Sequence, residues 1–143
     1  MSDSCIFCKI ASGEIPSNKV YETNKVIAFL DLNPASEGHV LVIPKCHGQK
    51  IKDIPDDYLS EVIVALKKIS IGLEKMKGKE LDFNILQNNG ASSGQVVMHA
   101  HFHLIPKESD PSSKELGLKF TTSSLSPKEG ELAALAQKIR DCI

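Results

Sequence analysis

The sequence predicts a single α+β domain built on an antiparallel sheet of about five strands, with one long helix and a shorter one. Three observations lead there. Short apolar runs suited to strands surround one long amphipathic segment, instead of alternating with several helices as a parallel sheet would require. Pro and Gly separate those runs, so the connections are turns. The 143 residues suit one domain, which at this size buries roughly two-thirds of its unfolded surface and folds without staples.

Residues 5–10 read as the start of a short helix or turn, punctuated by Gly13 and Pro16. Over residues 20–32, VYETNKVIAFLDL holds two apolar patches about the turn-forming pair Thr23 and Asn24, which predicts a hairpin of two strands. Pro34 biases Asn33 away from helix and ends the hairpin. Residues 39–43, HVLVI, form a dense apolar run suited to a central strand covered on both faces, stopped by Pro44. Pro55, Asp56 and Asp57 open the long helix, because Pro fits the first turn and acids complement the positive end of the helix dipole. Leu59, Val62, Ile63, Leu66, Ile69 and Leu73 then follow at the spacing of an apolar face, and Gly78 stops the helix. Residues 83–86 are a further strand, running into the turn-prone Gln87, Asn88, Asn89 and Gly90; residues 99–105 are the last. A shorter helix is expected over 127–139, with Leu132, Leu135 and Ile139 on one face. One domain thus spans 1–143, with its core at about 5–107 and a C-terminal tail over 108–143.

Seventeen basic against eighteen acidic residues leave a net charge of −1, which gives no general field for nucleic acid or an anionic membrane. Any anion site must therefore be local. No apolar run reaches the 18 residues of a membrane span, and the start, MSDSCIFCKI, lacks the charged and apolar regions of a secretory leader. The expectation is a cytoplasmic protein, small enough to enter the nucleus. The cysteines, at 5, 8, 46 and 142, are too few and too uneven for a disulfide scaffold. A close pair in such a chain points to metal or redox chemistry.

Three features carry the chemistry. His99, His101 and His103 alternate with Ala100, Phe102 and Leu104, so on a strand the imidazoles line one face, roughly 6.5–7 Å apart, close enough for two to touch one ligand. A metal site, a phosphate-binding surface, and one nucleophilic His supported by two others all fit that pattern. Cys5 and Cys8 are half a zinc site, a redox pair or buried small apolar residues. Gly13 and Pro16 follow too soon for the long helix of a thioredoxin-like unit, whereas zinc would need two further ligands, available from His47 and one of the three histidines. Residues 87–95, QNNGASSGQ, form a polar loop directly before the histidines, whose amides could cradle an anion.

The run His99-Ala100-His101-Phe102-His103, followed by Leu104-Ile105-Pro106, matches the His-x-His-x-His-x-x signature of the histidine triad (HIT) superfamily. The resemblance extends from Cys5 to about Lys107 through CIFCKI, GEIPS, AFLDLNP, GHVLVIPK and LQNNG. Within the superfamily the chain looks most like the HINT branch, the adenosine 5′-monophosphoramidases, in its fungal form, as Glu37-Gly38-His39, His47-Gly48 and the stretch from His101 to Lys107 indicate.

That resemblance implies a homodimeric hydrolase that cleaves the P–N bond of AMP–amine conjugates through a nucleotidyl-histidine. His101 matches the nucleophile, His103 a phosphate-binding partner and His39 a supporting histidine. Asn88, Gly94, Gln95 and Val96 correspond to contacts with phosphate and leaving group, Asp31 to the acid that takes the ribose hydroxyls, and Ile6, Phe7, Ile10, Phe29 and Leu32 to the slot for the base. Cys5, Cys8, His47 and His99 match a structural Zn²⁺ site, with no metal expected in the chemical step. Two departures fall on the leaving-group side: Val96 stands where animal HINT proteins carry a Ser, and the chain lacks their C-terminal Trp. The alternatives are a diadenosine-polyphosphate hydrolase of the same superfamily and a purine-nucleotide-binding interaction protein with incidental activity.

Overall fold

A computed structural model describes residues 4–107. The helix expected over 127–139 lies outside them. Nine segments follow one another: α1 (Ile6–Ser12), β1 (Lys19–Glu22), β2 (Val26–Leu30), β3 (Val40–Pro44), a 3-10 turn (Ile51–Asp53), α2 (Asp56–Lys77), β4 (Asp82–Leu86), a second 3-10 turn (Ala91–Ser93) and β5 (Phe102–Lys107). The strands form one antiparallel sheet in the order β1-β2-β3-β5-β4, with the five strands and the long helix that the sequence predicts.

Period-two alternation gives this sheet two different cores. On one face Val26, Ala28, Val40, Val42, Phe102 and Leu104 pack against Val62, Ala65, Leu66 and Ile69 of α2. On the other, Ile27, Phe29, Leu41 and Ile43 pack against Phe7 and Ile10 of α1. Every residue of β3 is buried, as its unbroken apolar run foretells. The helix α2 starts with Asp56 and Asp57 in its first turn and ends at Gly78, whose φ of 67° suits a residue without Cβ. Ile63, expected on its apolar face, is instead 57% exposed. One residue on from the fully buried Val62, it is rotated about 100° around the axis, and Ala65 fills the core in its place.

The last strand is shorter than expected. It begins at Phe102, not at His99, and it pairs with β3 only from Val40↔Leu104 to Val42↔Phe102. Beyond that point the ladder is replaced by side-chain and loop bonds. The ring Nε2 of His99 donates to the Pro44 carbonyl at 2.8 Å, and the Ala100 N–H donates to the Gly48 carbonyl at 2.7 Å. The three histidines nevertheless stay on the α1 side of the sheet, where Phe7 makes edge contacts with the rings of His99 and His101.

Candidate active site and Cys/His cluster

The site occupies the α1 side of the sheet where β2, β3 and β5 lie side by side. His39 precedes β3, and its carbonyl accepts the Asp31 N–H just beyond β2. Across the sheet, His103 follows Phe102 into β5, and the His101 and His103 rings stand 5.1 Å apart between centroids.

Hydrogen-bond partners fix which nitrogen of each ring bears the proton. The Ala35 N–H donates to His39 Nδ1 at 3.0 Å. That nitrogen therefore holds a lone pair, and the neutral ring is protonated at Nε2. From Nε2 it donates to His103 Nδ1 at 2.9 Å, which leaves the His103 proton on Nε2. His101 Nδ1 lies 2.7 Å from the His99 carbonyl and donates to it, so Nε2 of His101 carries the lone pair. The two rings thus differ at Nε2: His101 has a nucleophilic nitrogen and His103 has a donor.

The ionisation of His103 and His39 agrees. Burial, and then the neighbouring His101 and His39, push the pKa of His103 down to about 4. Burial also lowers His39, opposed in part by the Asp31 carboxylate, so both rings are neutral near pH 7. Asp31 Oδ2 lies 3.6 Å from His39 Nε2, and Oδ1 accepts the Asn33 N–H at 2.8 Å. Asp31, His39 and His103 are close enough together to suggest a cation site. The Ala35 N–H argues against one. A metal on His39 Nε2 would drive the ring proton onto Nδ1, setting two donors against each other at 3.0 Å.

The loop before the histidines is tightly stitched. Gln95, 3% exposed, accepts the Gly90 N–H through Oε1 at 2.6 Å and donates from Nε2 to the carbonyls of Gln49, at 2.6 Å, and Val97, at 3.0 Å. Asn89 Oδ1 accepts the Ile51 N–H at 2.8 Å. The side chain of Gln95, expected to touch a ligand, is therefore committed to the loop itself. Groups open to an anion include the main-chain N–H groups of Val96 and Val97, which have no partner among the described residues, and the half-buried Asn88 carboxamide beside Gly94. Val96 itself is 87% exposed.

Of the five residues expected around a base, Phe7, Ile10 and Phe29 are core residues, with Phe7 edge-on to Phe29 at 5.7 Å. Ile6 and Leu32 are exposed at 49% and 84%.

The cysteine pair meets the first histidine of the triad. Because His99 Nε2 is spent on Pro44, its Nδ1 presents a lone pair to Cys5 Sγ at 3.5 Å and Cys8 Sγ at 3.6 Å. His47 Nδ1 lies 3.3 Å from Cys8 Sγ, and all four ligand atoms fall within 4.8 Å of one another. A tetrahedral zinc with Zn–S of about 2.3 Å and Zn–N of about 2.05 Å sets its S···N edges at about 3.6 Å, so the four residues fit the ion. The Pro44 carbonyl supplies the outer hydrogen bond that orients a metal-binding imidazole. Cys46, half-buried with its thiol pKa raised by burial, is not in the cluster; Cys142 lies outside the described residues.

The missed partners are main-chain groups: the Ala35 N–H and the carbonyls of Pro44, Gln49 and His99. No residue-type signal announces them, since every residue but Pro carries the same two groups.

Comparison with known proteins agrees with the geometry. The HIT domain family matches residues 12–110. The adenosine 5′-monophosphoramidase HNT1 of Candida albicans is 50% identical over 117 residues, covering 80% of this chain and 77% of that protein. The adenosine 5′-monophosphoramidase hnt1 of Schizosaccharomyces pombe is 42% identical over 136 residues, 95% and 96% of the two chains. Among solved structures, the histidine triad nucleotide-binding protein from Candida albicans superposes with a TM-score of 0.82 at 44% identity, covering 96% of both chains.

Proposed function

The chain belongs to the HIT domain family, and from that membership and the opposed rings of His101 and His103 we propose that it is an adenosine 5′-monophosphoramidase. Nε2 of His101 attacks the α-phosphorus of an AMP–amine conjugate, forming an N–P bond as the bond to the amine nitrogen breaks. That nitrogen must gain a proton to leave as an amine, which it takes from solvent, while the neutral His103 ring donates a hydrogen bond from Nε2 to the reacting phosphoryl group. Water then attacks the phosphorus of the nucleotidyl-histidine and loses its proton to solvent as the N–P bond breaks, releasing AMP and leaving the His101 ring neutral again. The His99 carbonyl, hydrogen-bonded to Nδ1–H of His101, stabilises the positive charge that ring acquires on attack. The Val96 and Val97 amides and Asn88 offer donors to the phosphate oxygens, and Asp31 takes the ribose hydroxyls.

The observation that carries this reading is the tautomer pair, a lone pair on one Nε2 and a proton on the other, at a ring separation of 5.1 Å. The test is steady-state hydrolysis of an adenosine phosphoramidate by wild type and His101→Ala. Wild-type turnover that falls by several orders of magnitude in the variant supports it. Faster turnover of diadenosine polyphosphates would move the assignment to that branch. Binding of AMP without turnover would make the chain a nucleotide-binding module.

Two finer assignments accompany it. A structural Zn²⁺ held by Cys5, Cys8, His47 and His99 would tie the start of α1 to the catalytic segment, outside the chemical step. A homodimer is supported by exposed apolar side chains on one face: Phe83 and Ile85 of the edge strand β4, with Ile85 opposite Leu104 on the α2 side, and Ile63 of α2. A Phe83→Lys, Ile85→Lys double variant that sediments as a monomer where wild type is a dimer supports that surface; a dimer unaffected by both changes refutes it.

A further inference from the structure

We infer that the Cys/His cluster is a positioning element for the nucleophile, acting through the two faces of one residue, His99. This rests on the phosphoramidase and zinc assignments above. The His99 ring enters the cluster through Nδ1, while its main-chain carbonyl receives the Nδ1–H of His101 at 2.7 Å. That carbonyl belongs to an irregular segment before β5, so no sheet ladder fixes its direction. It is placed by what holds residues 99–100: the His99 ring between the thiols and Pro44, and the Ala100 N–H on Gly48. Phe7 lies between the two cysteines in sequence and packs edge-on against both rings, with centroids 5.9 Å from His99 and 5.2 Å from His101. A ligand set that closes on His99 therefore sets both the acceptor that fixes the tautomer of His101 and the aromatic wall that stops its ring from turning.

Loss of the metal should leave the fold. The α2 core is on the opposite face of the sheet, and Phe7 and Ile10 stay anchored in the α1 core with Phe29 and Leu41. The base-facing surface then moves little, and the effect falls on the chemical step. Loss of outer-shell support of this kind costs about 10–100-fold in activity.

The experiment uses the full chain labelled with ¹⁵N-histidine. Zinc is stripped with a chelator under reducing conditions, folding is checked by far-UV circular dichroism, and the metal-free protein is refilled with Zn²⁺ or Co²⁺. Loaded protein should show His101 as a single Nδ1–H tautomer. The metal-free, folded protein should show that ring averaging between tautomers, with kcat down about 10–100-fold and AMP affinity within about threefold. Refilling restores both, and Co²⁺ brings the visible absorption of a tetrahedral site with two sulfur ligands. Cys5→Ser should reproduce the metal-free state and Cys5→His, which keeps four ligands, should rescue it. A folded metal-free protein with an unchanged His101 tautomer and unchanged kcat overturns the inference. Failure to take up Co²⁺ overturns it at the zinc assignment and leaves the phosphoramidase reading standing. Wild type inert towards phosphoramidates would sink that reading instead, while the tautomer measurement still decides the coupling.

Discussion

Gln95→Leu separates a loop clamp from a ligand contact. The side chain makes three hydrogen bonds, to the Gly90 N–H and to the carbonyls of Gln49 and Val97, and is 3% exposed. Leucine fills a similar volume but leaves the Gly90 N–H and the Gln49 carbonyl unpaired, while the Val97 carbonyl keeps the His99 N–H. Each such bond contributes about 1 kcal/mol net, and a buried partner left unsatisfied adds to that, so the expected loss is about 2–4 kcal/mol. For a chain of this size that is a fall in Tm of roughly 10 °C. The assay is thermal and urea unfolding of ligand-free protein, with hydrogen exchange at the Gly90 amide reporting the loop itself. Gln95→Glu keeps the acceptor for Gly90 but sets a carboxylate against two carbonyls, and should be at least as destabilising near pH 7. A Tm within about 2 °C of wild type, combined with a large loss of AMP affinity, would show that the side chain serves the ligand, and the clamp argument would fail.

Three further outcomes follow from the same geometry. His39→Phe removes the donor that orients the His103 ring at Nδ1, so kcat should drop by up to about 100-fold; an unchanged kcat in the folded variant would refute that positioning role. His103 has its pKa lowered to about 4 from an unfolded value near 6.5. The unfolded state therefore binds protons first as pH falls, so this contribution to stability is complete above about pH 6.5 and is lost between there and about pH 4; urea midpoints for wild type and His103→Asn across that window should converge towards acid. Leu66→Ala empties a 1%-exposed position under the sheet and should cost about 2–5 kcal/mol with the nucleotide chemistry intact; a loss below about 1 kcal/mol, read from urea unfolding, would mean that α2 does not carry that core.

How far the residues foretold the molecule depended on where the controlling interaction lay. Val40 to Pro44 were legible because a strand covered on both faces needs an unbroken apolar run, and α2 because its buried positions repeat at helical spacing. Ile63 misled because an apolar residue at the margin of the stripe satisfies the same spacing as one inside it. Period two puts the three histidines on one shared face, yet the strand begins three residues later than their alternation suggests and ends two later, at Lys107. What delays its start is a bond from His99 to Pro44, 55 positions apart in sequence. Gln95 shows the same limit: a polar residue in a polar loop looks available, and only the fold reveals that its amide is already occupied.

The proton positions in this site have an uncommon mutational profile. The states of His39, His99 and His101 are each set by a main-chain group, at Ala35, Pro44 and His99, and His103 inherits its own from His39. Side-chain replacement at Ala35 or Pro44 leaves those groups in place, so the ordering of protons tolerates wide variation in the residues that impose it. At Ala35 one substitution escapes this protection. Proline would delete the N–H and free the His39 ring to turn over, reversing the bond to His103 and taking the proton from the nitrogen that faces the substrate. A single imino acid, outside every strand and helix and one ring removed from His103, would thus disarm the centre without removing one of its histidines.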